Sequence, residues 1–158
     1  MAWWPASIQN GLMNKDFKVP KIPKELEILR EGASGFHPCR VFLSSLSRHH
    51  RGPETVTEFL NDGMAFVPVE LDGKISVLNL YNVIAFRDIS RQVEGFGKPF
   101  QLTLEKARLF VVQSGERLPE SRGRTQDYLN TEGTFLEFVF ENAQFYVNKR
   151  YIISAVDQ

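Results

Sequence analysis

The chain has 158 residues, 42% of them hydrophobic and 12% aromatic, enough for the packed core of one ordinary domain or two very small ones, so a globular protein and not a disordered one is expected. Nineteen basic side chains balance nineteen acidic ones, so the chain lacks the positive charge with which nucleic-acid binders neutralise phosphates. A single cysteine, Cys39, excludes an internal disulfide, the first ten residues lack a secretory signal pattern, and no apolar run approaches the ~20 residues of a bilayer span, so a cytoplasmic, non-spanning protein is expected.

Residues 1–23 read as an N-terminal docking arm. Pro20 and Pro23 predict an extended path, while Pro5 to Met13 has room for one or two helical turns with Ile8 and Leu12 on one side. Trp3 and Trp4 stand together near the end of a chain that already has thirteen phenylalanines for its core. Tryptophan suits the boundary between apolar and aqueous surroundings, so Trp3, Trp4, Ile8, Leu12, Met13 and Phe17 are the expected partner contacts.

Repeat one spans residues 24–89. It opens on apolar strand segments at Leu26 to Leu29 and Arg40 to Leu43. A short helix follows Pro53, which is acceptable in a first turn, with Val56, Phe59 and Leu60 at i, i+3 and i+4 on one face. Asn61 closes it, as a cap that tolerates a left-handed turn. Phe66 to Leu71, the turn dipeptide Asp72-Gly73 and Ile75 to Leu80 predict a hairpin. Pro68 cannot donate to a ladder, which predicts an edge or a bulge for its strand.

Residues 90–97 form a linker, with Gly95 and Gly97 preceding Pro99. Repeat two, residues 98–158, restates repeat one. A single gapless offset carries Glu58-Phe59-Leu60-Asn61 onto Asp127-Tyr128-Leu129-Asn130, Phe66 onto Phe135, Val69 onto Phe138, Leu78-Asn79 onto Val147-Asn148 and Val83-Ile84 onto Ile152-Ile153. Backwards, Arg40 to Leu43 is matched with Arg108 to Val111, and Leu26 to Leu29 with Gln101 to Leu104. Phe138-Val139-Phe140, apolar at every position, predicts a strand covered on both faces, followed by a turn at Glu141 to Gln144. The fold class is mainly β with short helices (α+β): two tandem β-β-α-β-β pseudo-repeats forming a pseudo-symmetric pair, plus an extended arm.

No catalytic, metal or cofactor signature emerges. His37, Cys39, His49 and His50 do not have a recurring zinc spacing, and nothing near Cys39 predicts a lowered thiol pKa. Gly95-Phe96-Gly97-Lys98 lacks the ending of a phosphate loop and reads as a joint between repeats. Glu25 and Glu27 share one strand face and are expected to be solvated. Arg48 and Arg51 before the first helix, with Arg117, Arg122 and Arg124 before the second, place positive charge near helix N-termini, where an anion or a peptide carboxylate could bind; the nearby Glu54, Glu58, Glu116, Glu120 and Asp127 are competing partners.

The residues that carry the repeat, Glu58-Phe59-Leu60-Asn61 with Phe66, Pro68 and Leu78-Asn79, resemble an uncharacterised group of small bacterial β-rich domains, over about four-fifths of the chain. The resemblance implies a fold and a bacterial source, and no activity. Together these features predict a non-catalytic accessory or assembly subunit without cofactors. Its arm docks on protein subunits of a larger membrane-embedded complex, such as a respiratory assembly or a photosynthetic reaction centre with its antenna, from the cytoplasmic face. The alternative is a two-lobed regulatory module that binds an anion or peptide through Arg48, Arg51, Arg122 and Arg124.

Overall fold

The computed structural model describes residues 20–106, 108–117 and 124–158. The arm residues Trp3, Trp4, Ile8, Leu12, Met13 and Phe17, and the loop residue Arg122, lie outside the described residues. In chain order the elements are β1 (Lys21–Arg30), β2 (His37–Ser44), helix α1 (Val56–Asn61), β3 (Phe66–Leu71), β4 (Lys74–Asn79), a 3₁₀ turn (Leu80–Asn82) and β5 (Val83–Asp88). They continue with β6 (Phe96–Leu104), β7 (Leu109–Ser114), helix α2 (Thr125–Leu129), β8 (Phe135–Phe140), β9 (Ala143–Asn148), a second 3₁₀ turn (Lys149–Tyr151) and β10 (Ile152–Asp157).

All ten strands join one antiparallel sheet in the order β10-β6-β7-β8-β9-β5-β1-β2-β3-β4. The first and second halves of the chain thus occupy separate ends of the sheet and meet at β5 and β9. From α1 onward, each element of the first half has an element of the same type in the second, and one constant offset relates their first residues: Val56 and Thr125, Phe66 and Phe135, Lys74 and Ala143, Leu80 and Lys149, Val83 and Ile152.

Local chemistry accounts for the boundaries. Helix α1 starts at Val56, later than a first turn containing Pro53, because Thr55 and Glu58 form a reciprocal capping box that satisfies two N–H groups at once. Neither Asn61 nor Asn130 adopts a left-handed conformation; Gly63 takes that role, at φ 86°. Each asparagine instead donates its Nδ2 to the carbonyl four residues back, Thr57 and Gln126, adding a side-chain bond at the end of its helix. Asp72-Gly73 and Glu141-Asn142 are two-residue hairpin turns with positive φ at both positions, so Ala143 and Gln144 belong to β9 and not to a longer turn.

Each half also has a fifth strand that the β-β-α-β-β reading omits. Asn79 and Asn148 end β4 and β9, and their Oδ1 atoms accept from Tyr81 N–H and Arg150 N–H, which caps the 3₁₀ turn that redirects the chain into β5 or β10. Other sequence boundaries move as well. Lys21, Ile22 and Pro23 belong to β1, paired with Ser44, Leu43 and Phe42, and Phe96 and Gly97 open β6. Pro68 lies one strand in from the edge, which is β4. Its missing N–H costs nothing there, because β3 meets β2 only at Glu70 opposite Arg40.

Strand register also corrects the backward matches. Ile28 stands opposite Phe86, and Leu102 opposite Ala155, which is the counterpart of Phe86 at the same offset, so Ile28 corresponds to Leu102 and Leu26 to Phe100. Arg40 faces Glu70 and Gln113 faces Val139, 69 residues after Glu70, so on that offset strand register matches Arg40 with Gln113 and not with Arg108. Both matches made on residue type are out by an odd number of positions, which turns every side chain to the wrong face of its strand.

Two hydrophobic clusters fill the halves. One gathers Phe100, Leu102, Phe110, Phe138, Phe140 and Phe145; the other gathers Leu26, Ile28, Val41, Val56, Leu60, Val67 and Val69. Each borrows from across the joint: Leu29, Ile84 and Ala85 pack in the second-half cluster, and Phe135 and Tyr146 in the first-half cluster. Phe138, Val139 and Phe140 are all buried, in a strand hydrogen-bonded on both sides. Phe145 is fully buried, with Phe110 5.0 Å, Phe140 5.4 Å and Phe36 6.0 Å from its ring centroid. Phe145→Ala is therefore expected to cost about 3–5 kcal/mol of unfolding free energy, measured by urea denaturation, as a large core cavity does.

Candidate functional site

Two features bring polar or adhesive groups together: the joint between the halves and the two open edges of the sheet. At the joint, Ala85, Phe86, Arg87 and Asp88 of β5 stand opposite Val147, Tyr146, Phe145 and Gln144 of β9. Two asparagines stitch the halves together at its Val147 end, around the Phe135–Asn148 pair. Asn61 donates to Phe135 O at 3.2 Å and accepts from Phe135 N–H at 2.8 Å, and Asn148 Nδ2 lies 3.0–3.3 Å from the carbonyls of Leu80, Tyr81 and Val83. Asn148 is buried, so these bonds also remove the penalty of an unpaired amide.

Beside the joint lies an open cleft of roughly 560 Å³, lined among others by Lys24, Thr57, Asp88, Arg91, Glu137 and Tyr146. Its polar groups are largely engaged with each other. Glu137 accepts from Thr57 Oγ1 and Gln144 Nε2, and the Lys24 ammonium sits 2.9 Å from Asp88. Burial pushes the Asp88 carboxyl up, but hydrogen bonds from Ser90 and Lys24 outweigh it and hold the group below the usual aspartate value. The cleft is a satisfied ionic frame for the joint.

The open edges are different. Among the described residues β4 and β10 each have one strand neighbour, so each presents a row of backbone donors and acceptors with no strand partner there. In the β3–β4 hairpin, Leu71 and Lys74 flank the two-residue turn, and alternation from that pair leaves the N–H groups of Ile75 and Val77 directed away from β3. Exposed apolar side chains accompany both edges: Phe66, Val77 and Tyr81 at one, Ile153 and Val156 at the other.

The structure disperses the residues singled out in the sequence. Arg48 and Arg51 are exposed in the loop before α1, where two of the N–H groups at the helix start are bonded by the chain's own Thr55 and Glu58 side chains. Glu58 also accepts from Ser47 and lies 3.2 Å from His50, and His49 pairs with Asp62 at 3.0 Å. Arg124 is 3.3 Å from Asp127 in the other half, and Arg117 stacks on Phe96. Glu25 is solvated, as expected, and pairs with Arg40 at the surface, whereas Glu27 is half-buried and pairs with Arg87 at 2.6 Å.

Cys39 is buried and its thiol is pushed up to about 12 by burial and the nearby Glu25, so it is a neutral packing group at physiological pH. Among the described residues no three His, Cys, Asp or Glu side chains come together as a metal site, and no helix is long and apolar enough to cross a membrane. Comparison with known protein families, with characterised proteins and with solved structures yields no match to the chain.

Sequence reasoning missed both the stitching role of Asn61 and Asn148 and the edges. The signal available was the pair of asparagines at fixed positions in each half, which a helix cap explains only locally.

Asp88→Asn should lower stability at pH 7 by about 1–3 kcal/mol, the value of a buried hydrogen bond to charge. Because the folded carboxyl titrates below its unfolded value, the wild-type advantage is complete above about pH 4 and disappears as pH falls through the folded value. Thermal melts of both proteins from pH 7 down to acid should therefore converge.

Proposed function

We propose that this chain is a non-catalytic assembly subunit that binds other proteins through the open edges of its sheet, with the N-terminal arm as a second anchor on a larger complex. The observation that carries this reading is the pairing of unsatisfied edge backbone with exposed Val77, Ile153 and Val156, an arrangement suited to strand addition, in which main-chain hydrogen bonds give affinity and side chains give specificity.

We infer further that the two halves are copies of one unit. The support is the common order of elements, the constant offset between them from α1 onward, and the asparagines that make the same local bonds in each half. The arm adds Trp3 and Trp4, which fit a membrane-embedded partner at its water boundary.

Truncation separates the two anchors. Residues 21–23 form part of the β1–β2 ladder, so the cut that spares the sheet removes residues 1–19 only. In its native source the full chain should migrate within a large particle. The truncated chain should fold, by circular dichroism, and be lost from that particle. Trp3→Ala with Trp4→Ala should cause much of the same loss, since a fully buried indole hides up to about 250 Å², worth roughly 6 kcal/mol by area before ordering costs. A native chain that always migrates at its own mass would overturn the assembly reading. A truncated chain retained in full amount would remove the arm and leave the edges as the contact.

A further inference from the structure

The sheet order shows which two edges remain open. Each half is ordered fifth strand, first, second, third, fourth: β5-β1-β2-β3-β4 in the first half and β10-β6-β7-β8-β9 in the second. The joint consumes the fifth strand of the first half, β5, and the fourth strand of the second half, β9. What is left is the other complementary pair: the fifth strand of the second half, β10, and the fourth strand of the first half, β4. Two copies of the chain can therefore make, between molecules, the contact that the chain already makes within itself.

We propose that the chain assembles head to tail with further copies of itself, β10 of one copy pairing antiparallel with β4 of the next. This deepens the assembly reading above by naming the partner, and it rests on that reading and on the correspondence of the two halves. Carrying the joint's register across by the offset that relates Phe66 to Phe135 sets Ser154, Ala155, Val156 and Asp157 opposite Leu78, Val77, Ser76 and Ile75 of the next copy.

The side chains support the assignment. Phe135, Tyr146 and Ile84, which cross the joint into the neighbouring half's core, are 2%, 3% and 0% exposed. Their counterparts Phe66, Val77 and Ile153 are 59%, 60% and 64% exposed, so the same three positions are apolar at both places and covered at only one. The asparagines follow suit. Asn61 and Asn148 bond across the joint, whereas among the described residues the side chains of Asn130 and Asn79 make only their local bonds, leaving Asn130 Oδ1 and Asn79 Nδ2 for a neighbour. Such a contact joins two different surfaces, so it propagates into a ring if the rotation closes and into a filament if it does not.

The contact is tested by blocking one edge at a time in the full chain. Val77→Glu and Ile153→Glu place a charge at exposed positions, and each variant should retain the wild-type far-UV circular dichroism and melting temperature. Sedimentation of the wild-type chain across the micromolar to millimolar range should show mass rising beyond a dimer. Either variant alone should stay monomeric, because every joint in its solution contains one blocked edge. A one-to-one mixture should form a dimer and nothing larger, from the intact β10 of the first variant and the intact β4 of the second.

A wild-type chain that is monomeric throughout overturns the self-assembly, as does a mixture that stays monomeric or a variant that dimerises alone. Growth of assemblies only after removal of residues 1–19 overturns it for the full chain and identifies the arm as the occupant of an edge. If the wild-type chain is monomeric and Val77→Glu still abolishes its incorporation into the native particle, the second copy is excluded and the broader assembly function stands.

Discussion

The β5–β9 pairing is the constraint on which the rest of the structure depends. Without it the second half would expose the edge of β9 together with Tyr146 and Phe135, and the first half the edge of β5 with Ile84 and Leu29, all of which sit in the core of the opposite half. A half of roughly 65 residues buries only about three-fifths of its unfolded surface and is marginal alone. Exchanging apolar side chains across a hydrogen-bonded joint lets each half complete the other's core. The polar groups around the joint follow from this. Lys24 with Asp88, Arg87 with Glu27, and Thr57 and Gln144 with Glu137 neutralise or bond buried and half-buried charges beside the joint.

Much of this was legible in the sequence, and the part that was not has a physical explanation. The short helix, the Asp72-Gly73 hairpin and the buried Phe138 strand are local patterns, set by periodicity and turn chemistry that a short stretch of chain contains. The constant offset was visible because no insertion falls between α1 and β5 or between α2 and β10. Before the helices the spacing changes, from β1 to β6 and again from β2 to β7, and there matching by residue type failed: Arg40 resembles Arg108, yet cross-strand pairing places Gln113 at its position.

The candidate site was the least legible part, because it consists of relations between distant segments. Asn61 and Phe135 are 74 residues apart, and Asn148 and Leu80 are 68. Nothing in the local sequence of an asparagine at the end of a helix says that its amide will bridge two halves of a sheet. The basic loops misled for the opposite reason. Arginines cluster there in sequence, but two of the N–H groups at the start of α1, those of Thr55 and Glu58, are taken by the Glu58 and Thr55 side chains.

The differences between joint and edges carry their own physical logic. At the joint, Tyr146 and Phe86 supply large aromatic surfaces; the same positions at the edges hold Val77 and Ala155. An aromatic row beside an unpaired strand would be an open invitation to indiscriminate strand pairing, so smaller residues there limit unwanted association at the cost of affinity. Within one chain, by contrast, the halves are tethered, and a large buried contact is formed once and retained. Ser76 and Lys74 on β4, and Ser154 and Asp157 on β10, interrupt the apolar edge positions further. On the proposal of head-to-tail pairing, the edges would combine the register of the joint with a weakened driving force, the combination expected of a surface that must meet a defined strand and remain free of others.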